Sequence, residues 1–209
     1  MFILDSVGFG SAFALLIPLS YTPDVAFEIS GAWFAAPSVI IMFYFLNIFG
    51  QFISSSNRKK EEDSKLDVIK WGILERLGFV LIYLTLNYFL DSSLILVFFL
   101  ITYGIFVYSS GAILPAYFDL VSRVLYKHRA IFFAANLTTG SLAGFLVSRY
   151  VDFRIQEKGL VEGFSDGLLV VIAITSLSLI PLILIKEPKG ISQNTVSYTH
   201  LTLPTTLIV

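Results

Sequence analysis

Six apolar runs, at about residues 2–21, 32–53, 71–90, 94–118, 130–148 and 168–185, divide the chain, and short polar stretches separate them. Each is close to the roughly 20 residues that an α-helix needs to cross the hydrocarbon of a bilayer at about 1.5 Å per residue. Shorter runs with a charge every few residues would have pointed to buried helices of a soluble domain instead. In lipid a segment must satisfy its own backbone hydrogen bonds, and a helix does so without outside partners. The spacing therefore predicts an all-α, polytopic membrane protein with six transmembrane helices over residues 1–190.

The first run could be taken for a signal peptide. It has no basic segment ahead of it and no small-residue cleavage site, and five more runs follow, so it reads as a span. Pro18, Pro37, Pro115 and Pro181 lie in or beside the runs. Neighbouring helices can satisfy the carbonyl that a proline frees in a membrane helix. Packing kinks and gating hinges both fit that placement.

Composition agrees with the runs. Hydrophobic residues make up 56% of the 209 positions and charged residues 14%, against about 25% charged in a typical soluble domain. Mean hydropathy is +0.82. The net charge of −1 offers no footprint for a nucleic acid, and the absence of cysteine rules out disulfides and thiolate metal sites. His128 and His200 are too far apart to form a ligand motif. The chain carries no phosphate-binding loop, nucleophile elbow or paired catalytic carboxylates, so neither an enzyme nor a cofactor is expected, and the first partner to expect is the lipid bilayer.

Lysine and arginine fix the expected orientation. Ten of them, Arg58, Lys59, Lys60, Lys65, Lys70, Arg123, Lys127, Arg129, Lys186 and Lys189, follow runs two, four and six. Three, Arg149, Arg154 and Lys158, lie on the other side, and Arg76 lies within run three. Basic loops stay in the cytosol, which places both termini there, in a cell (inner) membrane. The last stretch, 191–209, has no helical periodicity, and "VSYTHLTLPTTLIV" resembles translated adapter or vector read-through. It is left out of the fold argument, and the chain is expected to be a fragment that is cut off soon after the sixth span.

Several pieces together resemble the N-terminal half of a major facilitator superfamily transporter. "GQFISSSNRKK" sits where that family carries its signature loop: Gly50 and the pair Arg58–Lys59 match, Asn57 replaces the second glycine, and Ser54 stands at the acid position. "WGILERLGF", "YGIFVYSSGAILPAYFDLVSRVLYKHRA", "KHRAIFFAANLTTGSLAGFLVSRY" and "GLLVVIAITSLSLIPLILIKEP" resemble spans three to six of a bacterial branch, although span five lacks the Gly-Pro pair of the antiporter motif. The resemblance implies two three-helix repeats. It also implies secondary transport of a small-molecule substrate by alternating access, together with a missing C-terminal six-helix half. The membrane domain of an ATP-driven exporter and a non-transporting scaffold are the alternatives. Short cytoplasmic loops weigh against the exporter.

The residues themselves suggest a site. Glu75 and Arg76 lie five and six residues into the third run, and Asp119 and Arg123 lie at the exit of the fourth. A charge in mid-bilayer costs about 2.5–3.5 kcal/mol on insertion scales, so such groups pair or face water. These four are expected either to form a cytoplasmic charge network or to snorkel independently to the interface. Gly140 and Gly144, four apart, let a helix approach its neighbour closely, for static packing or for sliding. Asn136 on the same face is either a cavity-lining donor or an interhelical bridge. Asp5 is either a cavity acid or the marker of a helix start.

Overall fold

The computed structural model describes residues 2–16, 21–57, 64–125 and 128–184. Seven helices account for nearly all of them: α1 (Phe2–Leu16), α2 (Tyr21–Ser30), α3 (Ala35–Asn57), α4 (Ser64–Tyr88), α5 (Ile95–Val124), α6 (Arg129–Lys158) and α7 (Leu160–Leu184). Among the described residues no strand forms. Four helices among those residues are long and apolar enough to cross a membrane: Ala35–Ser56, Ile95–Val124, Ala130–Lys158 and Leu160–Leu184. The structure is that of a multi-pass membrane protein. Of the other two expected spans, α1 has 15 residues, and α4 carries Lys65, Asp67, Lys70, Glu75 and Arg76.

The helices outrun the apolar stretches that announce them. α4 begins seven residues before its run and α7 eight before, while α6 continues ten beyond. An apolar run records the depth of hydrocarbon, whereas backbone hydrogen bonding continues wherever side chains tolerate a helix. The polar stretch between the first two runs, "TPDVAFEISG", lies almost wholly within the helix α2. Pro23 and Asp24 suit a first turn. Gly31 ends it at φ +61°, its N–H donating to Phe27 O at 2.7 Å, which is the left-handed cap that glycine adopts without strain.

α1 packs against α6 and α7, α3 against α5, and α4 against α5 and α7, with α2 lying over α3 and α7. Two crossings are built alike. A Cβ on Gly10 of α1 would stand 1.9 Å from Gly140 O of α6, and one on Gly144 would stand 2.8 Å from Gly10 O. At the α3–α5 crossing a Cβ on Gly111 would stand 2.1 Å from Asn47 O, and one on Gly50 would stand 2.3 Å from Tyr108 O. Backbones that close exclude every side chain at these four positions, and close approach is how helices associate where lipid offers no hydrophobic drive.

Phe79, Phe99, Tyr103 and Phe106 fill the centre between α4 and α5, with the Phe79 and Phe106 rings 4.9 Å apart. Outward-facing aliphatic and aromatic side chains on α3 (Ile41, Tyr44, Phe45, Ile48, Phe52) repeat at helical spacing and stay exposed, as a lipid-facing surface requires. Polar contacts close the two ends. At the end where α4 begins, Ser64 Oγ donates to Asp119 and Lys65 Nζ to Ile183 O. At the other end Tyr21 OH donates to Asp152 Oδ1 at 2.7 Å, Asn87 Nδ2 donates to Ser165 Oγ at 2.7 Å, and Arg154 pairs with Asp166 at 2.6 Å.

Candidate functional site

Arg76 is the thirteenth of the 25 residues of α4 and therefore its midpoint. Both it and Glu75 are buried, at 9% and 8% exposure. The guanidinium donates through Nε to Thr175 O at 2.8 Å, through Nη1 to Gly72 O at 2.8 Å and to Glu75 Oε2 at 3.1 Å, and through Nη2 to Ser178 Oγ at 2.9 Å. An arginine fork placed between two helices can reach acceptors on both. Here it ties α4 to α7. Ser178 Oγ in turn donates to Thr175 O at 2.8 Å, so the polar groups on α7 are mutually oriented.

The pair opens on a cavity of about 150 Å³ where five helices converge. α4 supplies Glu75, Arg76 and Phe79, and α5 supplies Ile113, Leu114, Tyr117 and Phe118. Phe133 and Asn136 come from α6, Thr175 from α7 and Ala12 from α1. Asn136 Nδ2 donates to Tyr117 OH at 3.4 Å across the chamber. The result is an apolar, ring-lined space with one ion pair on one wall and an amide–phenol pair on another. Such a mix, mostly apolar with a few converging polar groups, is typical of a small-molecule site.

The other expected residues fall elsewhere. Asp119 Oδ2 pairs with Arg123 Nη2 at 2.8 Å, one turn apart on α5, and both are about a third exposed. Because Ser64 meets Asp119 at the start of α4, this pair lies about 17 Å along α4 from Glu75, eleven residues at ~1.5 Å each. The four charges thus form two layers, and direct pairing of Arg76 with Asp119 would have to bridge that separation. The sequence placed Glu75 near a helix end because its apolar run begins at residue 71, whereas the helix begins at Ser64. Gly140 and Gly144 face Gly10 of α1. Gly50 is not in a loop: it lies inside α3 against α5. Asn57 ends α3, and Arg58 and Lys59 lie outside the described residues. Asp5 lies in the first turn of α1, and its side chain is outside what the structure describes.

Sequence reasoning missed Thr175 and Ser178. The signal was present, since two hydroxyls three apart inside the apolar "AITSLSL" share one helix face and mark a polar stripe within a span. Tyr117 and Phe133 carry no such signal. Among the described residues no three His, Asp or Glu side chains gather to hold a metal ion. Comparisons with family models, with curated proteins and with solved structures found no match.

Proposed function

We propose that the chain is one six-helix half of a secondary transporter, moving a small solute through the chamber at the Glu75–Arg76 pair. The carrying observation is the placement of a buried ion pair at the midpoint of a helix, on the wall of a cavity large enough for a solute. Charge held at that depth is costly unless it serves a path or a ligand. In this reading α1, α3 and α4 form one three-helix repeat and α5, α6 and α7 the other. Exchanging the triplets maps the α1–α6 contact onto α5–α3 and the α1–α7 contact onto α5–α4 and leaves α4–α7 in place, whereas α6–α7 has no comparable α3–α4 counterpart. The close crossings correspond under the same exchange, Gly10 lying on Gly140 of α6 and Gly111 on Asn47 of α3. α1 and α4 would then serve as the remaining two spans, making six.

The likeness to the major facilitator superfamily supports the same reading and supplies the rest of the machine, a second six-helix half rocking against this one. The basic end faces the cytosol of the cell membrane. Asp119 and Arg123 at that end hold the closed side, and the glycine crossings let helices slide as it opens. A static scaffold would have no use for a charged chamber at the centre of its core.

The chain has no cysteine, so single cysteines report cleanly on water access. A membrane-impermeant thiol reagent is expected to modify Asn136→Cys and Ile113→Cys in vesicles and to leave Leu142→Cys, which lies outward on α6, unmodified. Inertness of both chamber positions would overturn the transport reading.

A further inference from the structure

We propose that the ligand of this chamber is an uncharged single-ring molecule bearing one hydroxyl or carbonyl, its ring held by the aromatic wall and its oxygen by Asn136. The proposal rests on the transport reading and adds the substrate class. Among the described residues the lining holds one acid and one base, Glu75 and Arg76, and their side chains meet at 3.1 Å. Their charges cancel within the wall, where Thr175 O and Ser178 Oγ tie Arg76 to α7. An anion entering the chamber meets Glu75 as well as Arg76, and a cation meets Arg76 as well as Glu75. Either one brings a charge that the lining does not balance into a space of low dielectric. The pair thus filters out both signs, which is specificity by exclusion.

The rest of the lining says what is admitted. Phe79, Phe118 and Phe133 present rings from three different helices, and Ile113 and Leu114 add aliphatic carbon. The Phe118 ring lies 5.8 Å from Phe133 and 6.1 Å from Tyr117. Rings attract one another at such spacings by edge or offset face, so a ligand ring extends the series. The volume of about 150 Å³ is that of an apolar cavity that accepts benzene, so one ring fits.

Asn136 supplies the polar handle. Its Nδ2 reaches Tyr117 OH at 3.4 Å, beyond the roughly 2.7–3.2 Å of a well-made N–H···O bond. A carboxamide offers two N–H donors and a carbonyl acceptor. A ligand oxygen can therefore accept from Asn136, and a ligand hydroxyl can also donate to it. A pure hydrocarbon fills the ring-lined side and gains nothing from the amide. One such hydrogen bond is worth about two- to tenfold in affinity.

The test is equilibrium dialysis of radiolabelled benzyl alcohol against the full chain in lipid nanodiscs at neutral pH. Empty nanodiscs subtract what partitions into lipid. Benzoate, benzylamine and toluene compete, the same ring with a negative group, a positive group and no polar group. The proposal expects saturable binding of the alcohol and competition about tenfold weaker or less from both ions. Toluene is expected to compete about two- to tenfold more weakly than the alcohol. Asn136→Leu is expected to erase the preference for the alcohol over toluene while toluene still binds, a change of selectivity that damage to the fold would not produce. Leu114→Trp, which fills the chamber, is expected to abolish saturable binding. Either ion or toluene matching the alcohol, an unchanged preference in Asn136→Leu, or undiminished binding in Leu114→Trp would each overturn it. The competitor series needs no variant, so a misfolded mutant does not remove the test. If Asn136→Cys is modified by the thiol reagent and benzyl alcohol shows no saturable binding, the substrate class falls while the transport reading stands.

Discussion

The molecule contains two arginine–carboxylate arrangements that differ chiefly in where they sit. At the midpoint of α4, Glu75 and Arg76 are buried and opposed by α7. At the far end, Arg154 pairs with Asp166 and Glu157, and Lys158 reaches the same Asp166 Oδ2 at 3.0 Å, all beside the Gly159 joint between α6 and α7. The end cluster has more charges and shorter contacts, yet water can replace each of them. The central pair has fewer, and both of its members are buried. Contact geometry alone would rank the end cluster higher, whereas the cost of dehydration ranks it lower. Depth, more than the number of ion pairs, decides what a charge does in such a bundle.

The comparison can be broken by single substitutions read in SDS-denaturation titrations. Arg76→Ala should have the largest effect, about 3–5 kcal/mol of stability, because it leaves Glu75 buried beside acceptors that have lost their donor. Glu75→Gln should cost less, about 1–3 kcal/mol, since Thr175, Gly72 and Ser178 still hold the guanidinium. Asp119→Asn, in a pair about a third exposed and one turn apart on α5, should cost about 0.5 kcal/mol and lose even that at high salt. Arg154→Gln should leave the denaturation midpoint unchanged at physiological ionic strength. A large loss with Arg154→Gln, or a trivial one with Arg76→Ala, would reverse the ranking.

Much of this was legible in the sequence, and the illegible part has a consistent cause. The apolar runs located α3, α5, α6 and α7, since hydrocarbon thickness is written directly in residue count. Glu75 and Arg76 stood out because charge inside such a run is rare. Their depth was not legible, since it depends on α4 starting at Ser64 among polar residues that no apolar count includes. On α7, Arg76 meets a backbone carbonyl and a serine about a hundred positions away, and a carbonyl has no signature in the sequence. α2 was not foreseen, because it falls in the polar stretch between the first two apolar runs. Gly50 was read as the first position of a signature motif, and its contact with the α5 backbone had no signal in the sequence.

The central claim is that Glu75 and Arg76 form a coupled, buried pair at the heart of the bundle. A double-mutant cycle tests it most directly, with Glu75→Gln and Arg76→Gln made singly and together, beside the same cycle for Arg154→Gln and Asp166→Asn. The account predicts a coupling energy of about 2 kcal/mol or more at the first site, with the double mutant more stable than the sum of the singles implies, and no resolvable coupling at the second. Strict additivity at Glu75–Arg76, or equal coupling at the two sites, would contradict it.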